Sequence, residues 1–392
     1  VTPRPLRALV HALPLPAAAL LSLGVLTAPP VLPVLPAAAI PDAAIPAAGA
    51  APAAAAAGRT FYVDPARGSD TAPGTSPTTP WRTLTRASVA ALLPGDTLRL
   101  RRGLRHRGSL EVTEDGTAAR RIRVATYGRG TRPVLSDGPE CVRVTGDHVT
   151  VAGLAARGCG RAGFTLAGAH DVVVRVEATG AVVGVWVHDD SRHATVARSD
   201  VHHNTRMAPG TTGSDDDWGA IGVDVHGDHA RVVGNRIRGH VAASPDYGTD
   251  GSAVEVYEAS YATVTRNRAA GNLTFTELGG RGSSGNRFTA NVVTGAVRNG
   301  SFLMTRGPGQ HWGPVVGTTA TRNDVRLTGP GSFGFGCYGG CTATHLVMRD
   351  NTVSARRYVG WVDGTFASSG NVWSDEVWFP LGPGDRVTAL PR

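Results

Sequence analysis

Three acids recur at one position of a Val-rich pattern: Asp224 in GVDVHG, Glu255 in AVEVYE and Glu277 in FTELGG. One outward Glu on a strand is ordinary solvated charge. Like carboxylates stacked in register repel each other, and a purely structural surface avoids them. Such a column can serve a bound cation, a shared proton or general acid–base chemistry. Trp186 precedes the acids at the same position, and His188, His226 and Tyr257 occupy the next outward position, two residues on. Aromatic faces suit the apolar faces of sugar rings, while acids and imidazoles bond their hydroxyls. Two carboxylates across a glycosidic bond can act as acid and as base or nucleophile. A separation of about 5–5.5 Å gives retention and about 6.5–9.5 Å inversion. Glu255 is the expected catalytic carboxylate, with Glu277 or Asp224 as its partner and His226 beside them. Packed acids also raise one pKa, as a general acid requires.

Two polar, Gly-rich stretches, NTRMAPGTTGSDDDWG and GHVAASPDYGTDG, enter just before Asp224 and Glu255. Loops beside one surface column commonly carry function. These bring Asp215, Asp216, Asp217, Trp218, Asp246, Tyr247 and Asp250 toward the acids. Trp218 and Tyr247 join Trp186, Tyr257 and His188 as expected substrate contacts, and Arg306 in LMTRGPG is placed to reach in from the next repeat. Hard cations want clustered oxygens, so Asp215, Asp216, Asp217 and Asp250 are the candidate calcium ligands, although SDDDWG also reads as a solvated turn. His202 and His203 in DVHHN read as turn residues.

The elements that must position these groups are repeats. Six segments share a V-x-V core, with Arg143, Thr165, Trp186, Asp224, Glu255 and Glu277 at their centres, at intervals of 22, 21, 38, 31 and 22. A period near 22 with two long steps predicts a solenoid with insertions. Asn235, Asn267, Asn291, Asn323 and Asn351 recur at a fixed turn, where stacked amides can bond neighbouring backbone. Short strands, Gly/Asn turns and period-2 alternation predict a parallel β-helix and exclude a helical repeat. Equivalent strands then pair at about 4.8 Å. The inward set is Val142, Val144, Phe164, Leu166, Val185, Val187, Val223, Val225, Val254, Val256, Thr276 and Leu278, all apolar but Thr276. This fixes the register and turns the residues between them toward solvent.

Residues 61–108, FYVDPARGSDTAPGTSPTTPWRTLTRASVAALLPGDTLRLRRGLRHRG, resemble the opening segment of secreted right-handed parallel β-helix proteins of the pectate-lyase-like superfamily. In that group the YV…GSD…PGTS…PW.TL…A pattern leads into a capping helix and PGDT into the first coil. The resemblance implies an all-β, single-stranded right-handed parallel β-helix (solenoid) with an N-terminal capping helix, over residues 58–392. It also implies activity on polysaccharides, since the group mostly contains polysaccharide lyases and glycoside hydrolases, with some epimerases and adhesins. A hydrolase working through the acid column needs no cofactor. A lyase of this group would hold Ca2+ with acids and take a proton from a uronate polymer with Lys or Arg. The chain has no Lys, which leaves Arg306 or His226 as base. A non-catalytic glycan-binding or adhesion solenoid uses the aromatics but leaves the acid column unexplained.

The basic start (Arg4, Arg7), apolar run and small residues of 1–40 read as a signal peptide, and 41–57 as an Ala/Pro-rich linker. Prolines 14, 16, 29, 30 and 33 interrupt the run, and no later segment looks membrane-spanning. Four cysteines, near in sequence as Cys141 with Cys159 and Cys337 with Cys341, permit two disulfides in an exported chain; their spacing makes a poor zinc site. All 39 basic residues are Arg and the net charge is +8. Such a balance suits an acidic polymer, but no basic stripe interleaved with aromatics points to nucleic acid. The expectation is a secreted carbohydrate-active enzyme with a polysaccharide substrate; no feature sets an oligomeric state.

Overall fold

The computed structural model describes residues 57–208, 217–374 and 377–389. The expected signal peptide, most of the linker, Asp215 and Asp216 lie outside these residues. Residues 56–392 form one unit. Its strands wind into a three-walled parallel coil. The first wall is a 12-stranded sheet running from Thr60–Val63 to Ala367–Ser369. The second wall carries short strands such as Ala155–Arg157, Asp200–His202 and Arg268–Ala270. The third carries Ala162–Leu166, Val183–Val187, Ile221–Val225, Ser252–Tyr257, Thr274–Gly279 and Ser301–Arg306 in succession. Each strand pairs in parallel with its equivalent one coil away. The antiparallel exception among the named strands is a hairpin, Ala242–Ser244 with Gly248–Asp250.

The register is the one the alternation demands. Val142, Phe164, Val185, Val223, Val254 and Thr276 stack as one inward column, and Val144, Leu166, Val187, Val225, Val256 and Leu278 as the next. All are buried in a core that runs from Phe61 to Trp373. The core ends on aromatics: Phe61 stacks on Trp81 at one end, and Phe335, Phe366, Trp373 and Phe379 cluster at the other. The expected capping helix is not borne out. Among the described residues the helix is one turn of five residues, Leu84–Ser88, started by Thr83, whose hydroxyl accepts the Arg86 N–H. Pro94–Gly95 follow within two turns' length, so the segment returns to strand before a lid can form. Disulfides join Cys141 to Cys159 and Cys337 to Cys341.

Two side-chain ladders brace the corners. Between the first and second walls, the Nδ2 of Asn235, Asn267, Asn291, Asn323 and Asn351 each donates to the Oδ1 of the next Asn, at 2.8–3.0 Å, and the chain of bonds ends through Asn371 on Asp385. Each amide also takes a backbone N–H and donates to a carbonyl, so these buried polar groups are satisfied. At the corner leading back to the first wall, His148, His170, His193, His229 and Tyr261 stack ring on ring at 4.7–5.0 Å. All five have positive φ. Their signal in the sequence is a His one or two residues before the first-wall strand, as in DHVTV and RHATV.

Asn291→Ala removes the two donors to Val264 O and Asn323 Oδ1 and strands the two N–H groups that Asn267 points at it. The expected loss is about 3 kcal/mol in urea unfolding. A loss under about 0.5 kcal/mol would mean that the corner is held by the strands alone.

Candidate active site

The third wall brings the acids together as the spacing requires. Trp186 pairs with Asp224, Asp224 with Glu255 and Glu255 with Glu277, on adjacent parallel strands. Strand spacing puts neighbouring Cα atoms about 4.8 Å apart. The column does not simply face solvent, because the described ends of the first insertion and the second insertion lie over it. The first is anchored by a small apolar cluster in which Trp186, Ala208 and Trp218 pack on Ala162, Val182, Val183 and Ile221. The second is the antiparallel hairpin. Asp217 ties the two: Ser244 Oγ donates to its Oδ2, and Asp246 N donates to the same oxygen at 2.9 Å.

Under this roof lie two adjoining cavities of about 330 and 320 Å3. Asp217, Tyr247, Glu255, Tyr257 and Trp312 line both, so Glu255 stands where they meet. Trp218, His226 and Glu258 belong to the first. Asp250, Glu277, Met304 and Arg306 belong to the second. Trp312 and Glu258 were not singled out by the repeat. Trp312 sits in the Gly/Pro loop GPGQHWGP just after Arg306, and an aromatic in such a loop was the available sign.

The acids differ in surroundings. Glu277 Oε1 takes a hydrogen bond from Tyr257 OH at 3.2 Å and an ion pair from Arg306, which also donates to Leu278 O. Burial alone would lower Arg306, but Glu277 outweighs it and holds the guanidinium above its ordinary range. Burial and then Glu277 push the Tyr257 hydroxyl far up. Asp224 is fully buried beneath the roof. His226 Nε2 lies 3.1 Å from its Oδ1, at ion-pair distance but outside hydrogen-bond geometry, so both Asp224 oxygens lack a hydrogen-bond partner. Burial pulls His226 down, yet the Asp224 carboxylate outweighs that and raises its pKa. Glu255, open only toward the cleft, sits between the other two acids. Burial, then Asp224, Glu277 and Asp250, drive its pKa well above the ordinary carboxylate value. Asp250 is pushed up to about 7 by burial and by Glu277 and Asp217.

The remaining expected contacts divide. Tyr247, Trp218, Tyr257 and Arg306 line the cleft; Trp186 and His188 lie beside it. Trp186 is covered by the Arg161 guanidinium at 4.3 Å and by Trp218 at 6.0 Å. His188 bonds its own neighbours Asp189 and Asp190. Of the expected calcium set, Asp215 and Asp216 lie outside the described residues, and Asp250 lines the second cavity. Asp217 braces the hairpin, and among the described residues the acidic group with ligand atoms close enough for a metal is His188–Asp189–Asp190, not the column. His202 lies on the second wall, 3.7 Å from Glu177.

No protein-family model matches the sequence, and no curated protein matches it. Solved structures do match. Pectate lyase Pel9A is 20% identical, with a TM-score of 0.59 over 81% of this chain and 80% of that one. The alginate lyase from Paenibacillus sp. str. FPU-7 is 18% identical, with a TM-score of 0.54 over 73% and 97%. XylC, solved with xylose, is 10% identical, with a TM-score of 0.53 over 84% and 86%. The chain therefore has the parallel β-helix fold of pectin lyase-like proteins. At these identities the likeness is one of fold.

A carboxyl with a raised pKa in the folded state binds more protons folded than unfolded. It favours folding below its unfolded pKa, and that contribution is lost as pH rises through the folded pKa. The melting temperature of Glu255→Gln relative to the unaltered protein is therefore expected to climb from acid to alkaline pH. A difference that stays flat would mean Glu255 is not held protonated.

Proposed function

We propose that this chain is an exported carbohydrate-active enzyme that hydrolyses glycosidic bonds in a neutral polysaccharide. The observation that carries this reading is the place of Glu255: a carboxyl at the junction of two aromatic-lined cavities, whose pKa burial and then its acidic neighbours raise. A glycan lying along both cavities would set one bond over Glu255, which donates its proton to the leaving oxygen. Glu277, held by Arg306 and Tyr257 in the second cavity, serves as the partner carboxylate. Asp224 lies next to Glu255 in the column and beside His226, and its proximity raises the pKa of both. Trp218, Tyr247, Tyr257 and Trp312 offer ring faces to sugars.

The fold agrees with this class, since the matched structures include lyases acting on pectate and alginate and a protein solved with xylose. Two disulfides fit an oxidising compartment, and no helix among the described residues is long and apolar enough to cross a membrane. A calcium-dependent uronate lyase is supported less well. With Glu255 left out as the acid, Asp217, Asp250, Glu258 and Glu277 still line the cavities against Arg306, already paired with Glu277, and His226, so a polyuronate meets net repulsion. The column also offers no converging ligand set, and an Arg306 held in an ion pair is a poor base.

On a panel of polysaccharides, the purified chain is expected to release reducing ends from a neutral polymer without ultraviolet-absorbing unsaturated ends, and chelation is expected to leave the rate unchanged. Glu255→Gln should lower kcat by about 100- to 10,000-fold while the protein stays folded. Unsaturated products stopped by chelation would replace this reading with the lyase, and glycan binding without turnover would replace it with the adhesin.

A further inference from the structure

The corner between the first and second walls carries a second like-charge column that the cleft does not use. Successive coils turn there on one residue with positive φ: Gly153, Arg175, Arg198, Gly234, Arg266, Ala290, Arg322, Asp350 and Gly370 in order. Through Asp350 their N–H groups bond the carbonyl ending the next first-wall strand, so the positions stack coil on coil. Gly fits this conformation without penalty, and Gly153 and Gly234 show that the corner accepts it. Arg strains the backbone here, and it recurs four times.

A second disfavoured feature lies beside the first. Arg236 and Arg268, the first outward residues of their second-wall strands, pair directly in register, like charge on like. Arg175, Arg198, Arg236, Arg266, Arg268 and Arg322 are all exposed, and none of them forms an ion pair with another described residue. The nearby acids on this corner are partly engaged: Glu177 pairs with Arg157, Asp200, in register beside Arg236, pairs with Arg238, and Asp324 and Asp350 bound the ridge at its far end. At the near end the ridge runs into a groove of about 550 Å3 lined by Arg102, Arg132, Arg157, Arg175 and Glu177. In a three-walled coil this corner lies opposite the third wall, so the ridge faces away from the acid cleft.

We propose that this arginine ridge and its groove bind an anionic polysaccharide, one bearing carboxylate or sulfate groups along its chain. Guanidinium forks match such groups bidentately, and the five coil steps from Arg175 to Arg322 span about 24 Å, a track for several charged sugars. Bound anions relieve the repulsion between Arg236 and Arg268. No aromatic side chain is interleaved with these arginines to stack a base, which favours a glycan over a nucleic acid. The ridge would hold the protein on an acidic polymer while the cleft faces outward, and it stands whether or not the cleft is hydrolytic.

The test is fluorescence anisotropy with labelled polygalacturonate and labelled dextran sulfate, with neutral dextran as control. Both anionic probes are expected to bind, with affinity falling as salt rises. The combined variant Arg175→Gly, Arg198→Gly, Arg266→Gly and Arg322→Gly is expected to lose at least about tenfold in affinity and to melt no lower than the unaltered protein, because Gly relaxes each turn. A matched variant, Arg67→Gln, Arg281→Gln, Arg298→Gln and Arg356→Gln, removes equal charge from other exposed sites and is expected to bind as before. Equal losses in the two variants would reduce the effect to diffuse charge and overturn the ridge. Unchanged binding by the glycine variant, or tighter ridge-dependent binding of duplex DNA than of either glycan, would overturn it too.

Discussion

Parallel stacking in register is the constraint on which the molecule depends. Each coil places chemically equivalent positions about 4.8 Å apart, so whatever side chain repeats in the sequence becomes a column in space. The consequence depends on the side chain. Amides bond each other, as Asn235 through Asn371 do. Imidazoles stack flat, as His148 through His229 do, although the neighbours disfavour extra charge, and burial followed by the adjacent rings lowers His148 and His193. Charges repel. The same geometry that makes the asparagine ladder stabilising makes the acid column and the arginine corner costly.

The acid column becomes chemically useful because it is covered. On an open wall, water would screen three carboxylates and leave each close to its ordinary behaviour. The insertions exclude that water. Asp224 is fully buried and Glu255 lines the cleft, so desolvation and repulsion act together on Glu255. Arg306 then breaks the symmetry by matching Glu277, while His226 stands by Asp224. Three acids at one position of successive repeats thus meet three different surroundings, set by what the loops and the neighbouring coil bring to each.

Charge is also divided across the coil. Carboxylates are gathered beneath loops on the third wall, and unpaired guanidiniums on the opposite corner. The net charge of +8 conceals this division, since both signs are concentrated rather than spread. A polyanion is steered away from the cleft and toward the ridge, which gives the molecule a preferred orientation on an acidic surface.

The alternation of Val142, Val144 and their equivalents determined the coil, its register and the alignment of Asp224, Glu255 and Glu277, because a period of two allows one face to be buried and a one-residue slip would expose the core. The recurring Asn likewise announced its ladder. The sequence did not determine which acids would be buried, or that Asp217 would brace a hairpin. It did not separate Trp186, packed under Arg161, from Trp312, which lines the cleft. Those outcomes depend on where irregular loops fold back, and loops carry no period from which position can be read. The arginine corner was visible only as composition, because its turn residues lie between the strands whose pattern was legible and gain meaning only when successive coils are laid on one another.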